Sequence, residues 1–367
     1  MEYEFAVVGA GPAGLSGAIE AAKTGAKVVV IDENARPGGQ LFKQIHKFFG
    51  GKEHRAGARG MDIGSQLLEE AKSAGVEVLL DTAVWGIFDD NILGLFGKGK
   101  VEYLDAKKIL LATGASENPL SFPGHTLPGV LGAGAAQTMV NLHRVSIGEK
   151  VLMVGSGNVG LIVSYQLIQA GAEVVAVVEA LPKIGGYGVH ASKITRLGVP
   201  ILTSHTVKEV RGDGQVEAAT VVKLDSDFKP VPGSEQDLDV DTVCIAVGLS
   251  PLAELAWMCG CEFMYIPEMG GYVPVHDENM ETTVPGVYIA GDSAGIEEAA
   301  TAMVDGGLTG LAVAEALGHL STEEGQELKN NKIESGKAFR QGRFEFRNTA
   351  RKKLTGTEGR VVQWLKG

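Results

Sequence analysis

Short, wholly apolar runs end in glycine-rich turns and pass into helical stretches, and this order recurs along the chain. In "EFAVVGAGPAGLSGAIEAAKTGAKVVVIDE", Phe5–Val8 is an unbroken apolar run, as expected for a strand buried on both faces. A helix is predicted over Pro12–Lys23 and a second strand over Val28–Ile31. The same βαβ order returns in "KVLMVGSGNVGLIVSYQLIQAGAEVVAVVEA". Further strands are predicted in "KILLATGA" (Lys108–Ala115), "DTVCIAVG" (Asp241–Gly248) and "GVYIAGDSAG" (Gly286–Gly295). A helix start is expected in "EEAATAMVDGG".

The glycines give these turns a candidate chemistry. Gly9 suits the tight turn, Gly11 lets a pyrophosphate approach the backbone, and Gly14 lets the helix pack on the sheet. Pro12 and Ala13 open the helix, whose free N–H groups favour an anion. Asp32 ends the second strand at the spacing of an acceptor for a ribose hydroxyl, and Glu33 beside it could share that role. The second fingerprint is Gly155, Gly157 and Gly160, with Asn158 and Val159 between them and Glu179 ending the next strand. An acid there suits a free 2′-hydroxyl, hence NAD(H) over its 2′-phosphorylated form. Another adenine nucleotide, or a turn kept only for the fold, stays open as a reading.

Composition and charge narrow the class. The chain has 367 residues, 51 of them glycine without a repeat period, which suits a globular chain of two or three domains. A net charge of −12 argues against nucleic acid as a partner. No apolar run is long enough for a membrane span, no leader is read at the N-terminus, and three cysteines cannot make a disulfide framework. A cytoplasmic protein is expected. No metal site is expected. Cys259 and Cys261 flank one glycine and Cys244 lies in a strand, so all three read as packing residues. No catalytic acid–base pair stands out. His46 and His54 share a polar, glycine-containing loop; His46 could approach a ring or a substrate, but reads better as a surface histidine. His190 is expected to pack or cap on a short helix.

"RPGGQL" (Arg36–Leu41) directly after the acidic strand end, together with the A-T-G and G-D motifs, resembles the two-dinucleotide-binding-domain flavoproteins, the superfamily of thioredoxin reductase. The resemblance implies an α/β fold of two Rossmann-like domains, the second nested in the first. The expected boundaries are 1–117 and 245–328 for a split FAD domain, 118–244 for the nested nucleotide domain, and 329–367 for a C-terminal tail. It implies FAD as cofactor. By the same resemblance Asp292 holds the ribityl chain, with Gly291 before it also at the FAD, Thr113 and Gly114 lie near the pyrophosphate or ribityl side, and Gly39 and Gln40 lie beside the ring. The amides of Ala299 and Ala300 would face the flavin pyrimidine and stabilise negative charge there. The C-x-x-C pair of the disulfide reductases is missing.

Five longer stretches, among them "VIDENARPGGQLFKQ", "GLSPLAELAWMCGCE" and "YVPVHDENMETTVPGVYIAGD", look like alpha-type flavoprotein subunits of sarcosine oxidase, opine oxidase, hydrogen cyanide synthase and dye-linked proline dehydrogenase. That implies an electron-transferring subunit of a hetero-oligomeric amine or imino acid dehydrogenase or oxidase. Its partners would be a flavoprotein subunit of the D-amino-acid-oxidase type and a small [2Fe–2S] subunit, since no cysteine follows Cys261. A self-sufficient NADH-dependent flavin reductase and a scaffold with structural nucleotides are the alternatives. From Lys329 onward there are eleven Lys/Arg against three Glu, and Phe339, Phe344, Phe346 and Trp364 lie among them. This tail reads either as a subunit-docking element, as packing on its own body, or as a free basic end.

Overall fold

The computed structural model describes residues 1–48, 55–342, 345–355 and 361–362. His54, Phe344 and Trp364 lie outside the described residues. The chain forms two compact units, Met1–Ser116 with Ser250–Gly367, and Glu117–Leu249. Both are α/β units built on parallel sheets, Rossmann-like, with the second inserted in the first.

In the first unit the parallel strands run in the order Glu77–Leu79, Val28–Ile31, Glu2–Val8, Lys100–Leu111, with Val287–Ile289 also on Lys100–Leu111. Strands Ile92–Gly97 and Thr82–Phe88 extend the sheet antiparallel. Register fixes where chemistry can occur. Val8 pairs with Ile31 and Leu111, and Leu111 with Ile289, so four strands end along one edge. The turns after them meet there, at the carboxyl ends where open α/β sheets bind ligands. Alternate residues of the apolar runs pack on opposite faces. Phe5, Val7, Val28, Val30 and Leu110 face one core; Ala6, Val8, Val29, Ile31 and Leu111 face the other.

Helices Pro12–Lys23 and Ala299–Ala316 lie backbone to backbone. A Cβ on Gly306 would sit 2.0 Å from the Ala13 carbonyl oxygen, and one on Gly310 would sit 2.2 Å from that of Gly17. Only glycine allows that approach, which brings the "DGG" helix beside the first fingerprint.

The tail is not a free basic end. Helices Thr322–Lys337 and Glu345–Thr355 belong to the first unit, and Val361–Val362 pairs with Phe263 and Met264. Ala350 and Leu354 are buried with Met264, Ile266, Met269 and Val273. Its cations meet acids of the same unit. Lys329 binds Glu315 at 2.7 Å, Lys332 binds Glu20 at 2.8 Å, and Arg340 and Arg351 bind Glu297 and Asp305. This corrects the expectation of a separate tail, and the docking reading loses those four charges. Half of the excess of +8 read from the tail alone is thus answered by acids upstream in the chain.

The second unit has a parallel sheet in the order Ile201–Thr203, Glu173–Glu179, Lys150–Val154, Thr242–Ile245, Val130–Gly132, and a separate antiparallel sheet of three strands. Thr242–Ile245 is an inner strand of the parallel sheet, and the chain crosses back at Ser250 rather than near 245. Cys244 is buried in that strand, and His190 is buried on helix Gly188–Thr195 against Tyr187. Among the described residues no helix is long and apolar enough to cross a membrane.

Candidate functional site

At the edge of the first sheet the three fingerprint glycines do different work. Gly9 has φ +108°, and a Cβ there would lie 2.3 Å from the Ala112 carbonyl oxygen. A Cβ on Gly14 would lie 1.9 Å from the Gly9 oxygen. The fold itself requires both. Gly11 is different: its backbone is extended, and a Cβ would meet nothing closer than the Gly39 Cα at 3.9 Å. The described residues do not fill that space. The helix that begins at Pro12 points its leading amides toward it.

Asp32 latches this turn. Its Oδ2 accepts the Ala10 amide at 2.7 Å, and its Oδ1 accepts the Asn34 amide and side-chain NH₂, each at 2.8 Å. Glu33 follows it and is exposed. The "RPGGQ" loop folds onto the same turn. Gly38 donates to the Ala10 carbonyl at 2.7 Å, and Gly39, at φ +53°, approaches so closely that a Cβ would lie 2.9 Å from the Gly11 Cα. Gln40, on the short 3₁₀ turn Gly39–Lys43, is exposed.

Two more turns complete the edge. The Thr113 hydroxyl donates to the Leu252 carbonyl at 2.5 Å and Leu252 donates back to Gly114 at 2.9 Å, so Thr113 braces the loop. Gly114 has φ +80° and open space about it. Gly291, at φ +72°, packs on the first helix; a Cβ would lie 2.8 Å from that of Ala13. Asp292 follows. It keeps a partly open surface while dense protein surrounds it, so it is deep but not sealed. Among the described residues its Oδ1 accepts one long bond, from the Glu297 amide at 3.2 Å. Burial pushes its carboxyl up to about 6, despite that amide and the nearby Arg347 guanidinium. Such a carboxylate is short of donors, which a polyol would supply. Ala299 and Ala300 lead helix Ala299–Ala316 with no acceptor for their amides inside it. The capping box takes the amides on either side of them: the Glu298 side chain accepts the Thr301 amide, and the Thr301 hydroxyl accepts the Glu298 amide at 3.1 Å. His46 is half-buried and stacks on Phe48 at 5.8 Å.

The second fingerprint has the same plan. Cβ atoms on Gly155 and Gly160 would lie 2.2 and 2.1 Å from carbonyl oxygens, while one on Gly157 would meet nothing within 4 Å. Glu179 accepts the Ser156 amide at 2.9 Å, the Ser156 hydroxyl at 2.6 Å and the Leu181 amide at 3.0 Å. "KIGGY" folds back as "RPGGQ" does, with Gly186 donating to the Ser156 carbonyl at 2.8 Å. Asn158 spends its side-chain oxygen on the Tyr187 amide at 2.9 Å, and Val159 is exposed.

Sequence reasoning missed two features. One is the likeness of "KIGGY" to "RPGGQ", visible as Gly-Gly six residues after each acidic strand end. The other is a buried ion cluster of Glu297, Asp305, Arg340 and Arg351, whose one signal was an aspartate inside the otherwise apolar run of helix Ala299–Ala316.

Comparison with known proteins gives the family. The model of the pyridine nucleotide-disulphide oxidoreductases matches residues 3–317, and the chain belongs to that family. FAD is the cofactor, and a pyridine nucleotide is also typical of the family. The opine oxidase A-type subunit of Agrobacterium tumefaciens is 29% identical over 360 residues, covering 93% of this chain and 71% of that protein. The alpha subunit of sarcosine oxidase from a Corynebacterium is 28% identical over 329 residues; the match covers 85% of this chain but only 32% of that longer protein. The thioredoxin reductase of T. acidophilum has the same fold, with a TM-score of 0.71 at 22% identity over 86% of this chain and 99% of that one.

Proposed function

We propose that this member of the pyridine nucleotide-disulphide oxidoreductase family is the electron-transferring flavoprotein subunit of a hetero-oligomeric amine or imino acid dehydrogenase or oxidase. The observation that carries the flavin site is the middle glycine. Gly9 and Gly14 are required by the fold, whereas the space at Gly11 is left for something the protein does not supply.

The residues fit FAD by the chemistry of their donors and acceptors. The leading amides of helix Pro12–Lys23 and the bare backbone of Gly11 receive the pyrophosphate. Asp32 holds the turn, and exposed Glu33 is the acid with a carboxylate to offer the ribose. Asp292 accepts from the ribityl hydroxyls. Thr113, Gly114, Gly291, Gly39 and Gln40 frame the remaining edge, and the amides of Ala299 and Ala300 hold negative charge at the pyrimidine end. Bound there, FAD supplies acceptance and release of an electron pair.

The substrate class is argued from the relatives. Both are subunits by name, of oxidases named for an opine and for sarcosine. This chain offers no C-x-x-C relay, and Cys259 and Cys261 are free thiols 3.6 Å apart. C–N oxidation then belongs to a flavoprotein partner of the D-amino-acid-oxidase type, with a small [2Fe–2S] subunit carrying electrons. The second reading, a self-sufficient NADH-dependent flavin reductase, is favoured by the open space at Gly157. It is opposed by the Ser156 hydroxyl on Glu179, which takes an acceptor position that a ribose would use.

Anaerobic addition of NADH to the purified, FAD-loaded chain tests the choice. The proposal expects the flavin absorbance to persist with NADH, and with sarcosine or proline, until a catalytic partner is added. Rapid bleaching by NADH alone would establish the reductase instead.

A further inference from the structure

Around Asp292 the first unit gathers three carboxylates and three arginines. The carboxylates, Asp292, Glu297 and Asp305, belong to one stretch that ends in helix Ala299–Ala316. The arginines, Arg340, Arg347 and Arg351, all come from the C-terminal segment. Arg340 binds Glu297 through Nε at 2.8 Å and Asp305 through Nη2 at 3.0 Å to both oxygens. Arg351 binds the same two acids, at 3.1 and 2.9 Å. Both acids are almost wholly buried, with side-chain exposures of 4 and 5%. Arg347 lies near enough to pull the Asp292 carboxyl down. His276, beside Arg351, is pushed down to about 4 by burial and then by that charge, so it stays neutral and leaves the balance unchanged.

The cluster reaches the candidate flavin site through one residue. Glu297 gives its carboxylate to the two arginines and its backbone amide to Asp292, and it immediately precedes the N-cap Glu298. Take the arginines away and two buried carboxylates lose their counter-charges next to a third. Glu297 would then be driven toward solvent, taking with it the donor to Asp292 and the start of the helix.

We propose that the C-terminal segment is part of the flavin site: Arg340 and Arg351 are positioning residues that hold Glu297 and Asp305, and through them fix Asp292 and the helix start that receive FAD. This deepens the FAD reading above and rests on it. Among the described residues of the segment, the arginines supply what surface basicity would not, a forked grip on two carboxylates at once.

The test uses the full chain and reads FAD dissociation, by flavin fluorescence after dilution, together with the flavin midpoint potential. Arg351→Met is expected to release FAD at least tenfold faster than the wild type and to lower the potential, because a cation has been removed beside a site that gathers negative charge. The double variant Asp305→Asn/Arg351→Met removes one charge of each sign and should return both readouts close to wild type. It also serves if the single variant fails to fold. Unchanged release and potential in a folded single variant, or a double variant that holds FAD no better than the single, would overturn the inference. A wild-type chain that takes up no FAD would instead sink the flavin reading itself, with a different signature.

Discussion

The two fingerprints are near copies in backbone and differ in what their acids still have to offer. At both, the outer glycines are closed by carbonyl oxygens about 2 Å from where a Cβ would sit, and the middle glycine faces open space. At both, the strand-end acid accepts the amide of the residue between the first two glycines. The first site adds an exposed second acid, Glu33, whereas Ala180 follows Glu179. The first begins its helix with Pro12, while Asn158 begins the second and is tied to Tyr187. The second also turns a serine hydroxyl onto its acid. A glycine pattern therefore reports the turn, and the unspent acceptors around it report the ligand.

The largest effects should come from the middle glycines, since a methyl group there fits the protein but not a ligand. Gly11→Ala is expected to leave the melting temperature of the FAD-free chain within about 2 °C of wild type and to weaken FAD binding by one to two powers of ten. Gly157→Ala should leave FAD binding unchanged to within about twofold, and weaken whatever nucleotide the second site takes. Titration of both apo variants with FAD, followed by protein fluorescence, measures the difference. Equal losses of FAD affinity in the two variants would erase the distinction between the sites.

A smaller effect sharpens the comparison at the acids. Ser156→Ala removes the 2.6 Å hydroxyl bond to Glu179 and the 3.2 Å bond that the hydroxyl accepts from the Gly185 amide, and keeps the amide bonds of Ser156 and Leu181. Losing these two bonds should cost about 1–2 kcal/mol of stability. It frees an acceptor position facing the second fingerprint, so NADH binding, read by isothermal calorimetry, should tighten severalfold. Weaker binding after the substitution would mean that the serine belongs to the nucleotide site rather than competing with it.

How far the sequence reveals this molecule depends on how local each interaction is. The strands 5–8, 28–31 and 150–154 are plain in the sequence because continuous apolar runs bounded by glycine admit few alternatives. The residues Gly9, Gly11, Gly14 and Asp32 follow because their spacing lies within one βαβ unit. How Asp32 and Glu33 divide the work was not legible, since it rests on which carboxylate the Ala10 amide takes. The tail was less legible still. Its arginines are 35 to 54 residues from the acids they bind, and a basic stretch looks the same whether its partners are water, another subunit or its own buried aspartate. Asp305 alone hinted otherwise, because an acid buried in a helix between apolar residues needs a cation.

The smallest expected effect is a pH dependence that only the first site should show. The Asp292 carboxyl stands at about 6 in the folded chain, above its ordinary unfolded value near 4, because burial disfavours the charged form. The sign follows from linkage. The protonated group binds its proton more tightly when folded, so its contribution to stability is complete below about pH 4 and is lost as the pH rises through about 6. In the FAD-free chain, melting temperature should therefore fall slightly between pH 5 and pH 7, and Asp292→Asn should flatten that fall. FAD reverses the preference, because ribityl hydroxyls donate to the carboxylate and favour its ionised form. FAD binding should then release a proton near pH 6 and tighten as the pH rises from 5 to 7. Calorimetry in two buffers of different ionisation enthalpy counts that proton. Its persistence in Asp292→Asn would assign it to another group and leave Asp292 with only a structural part at the first site.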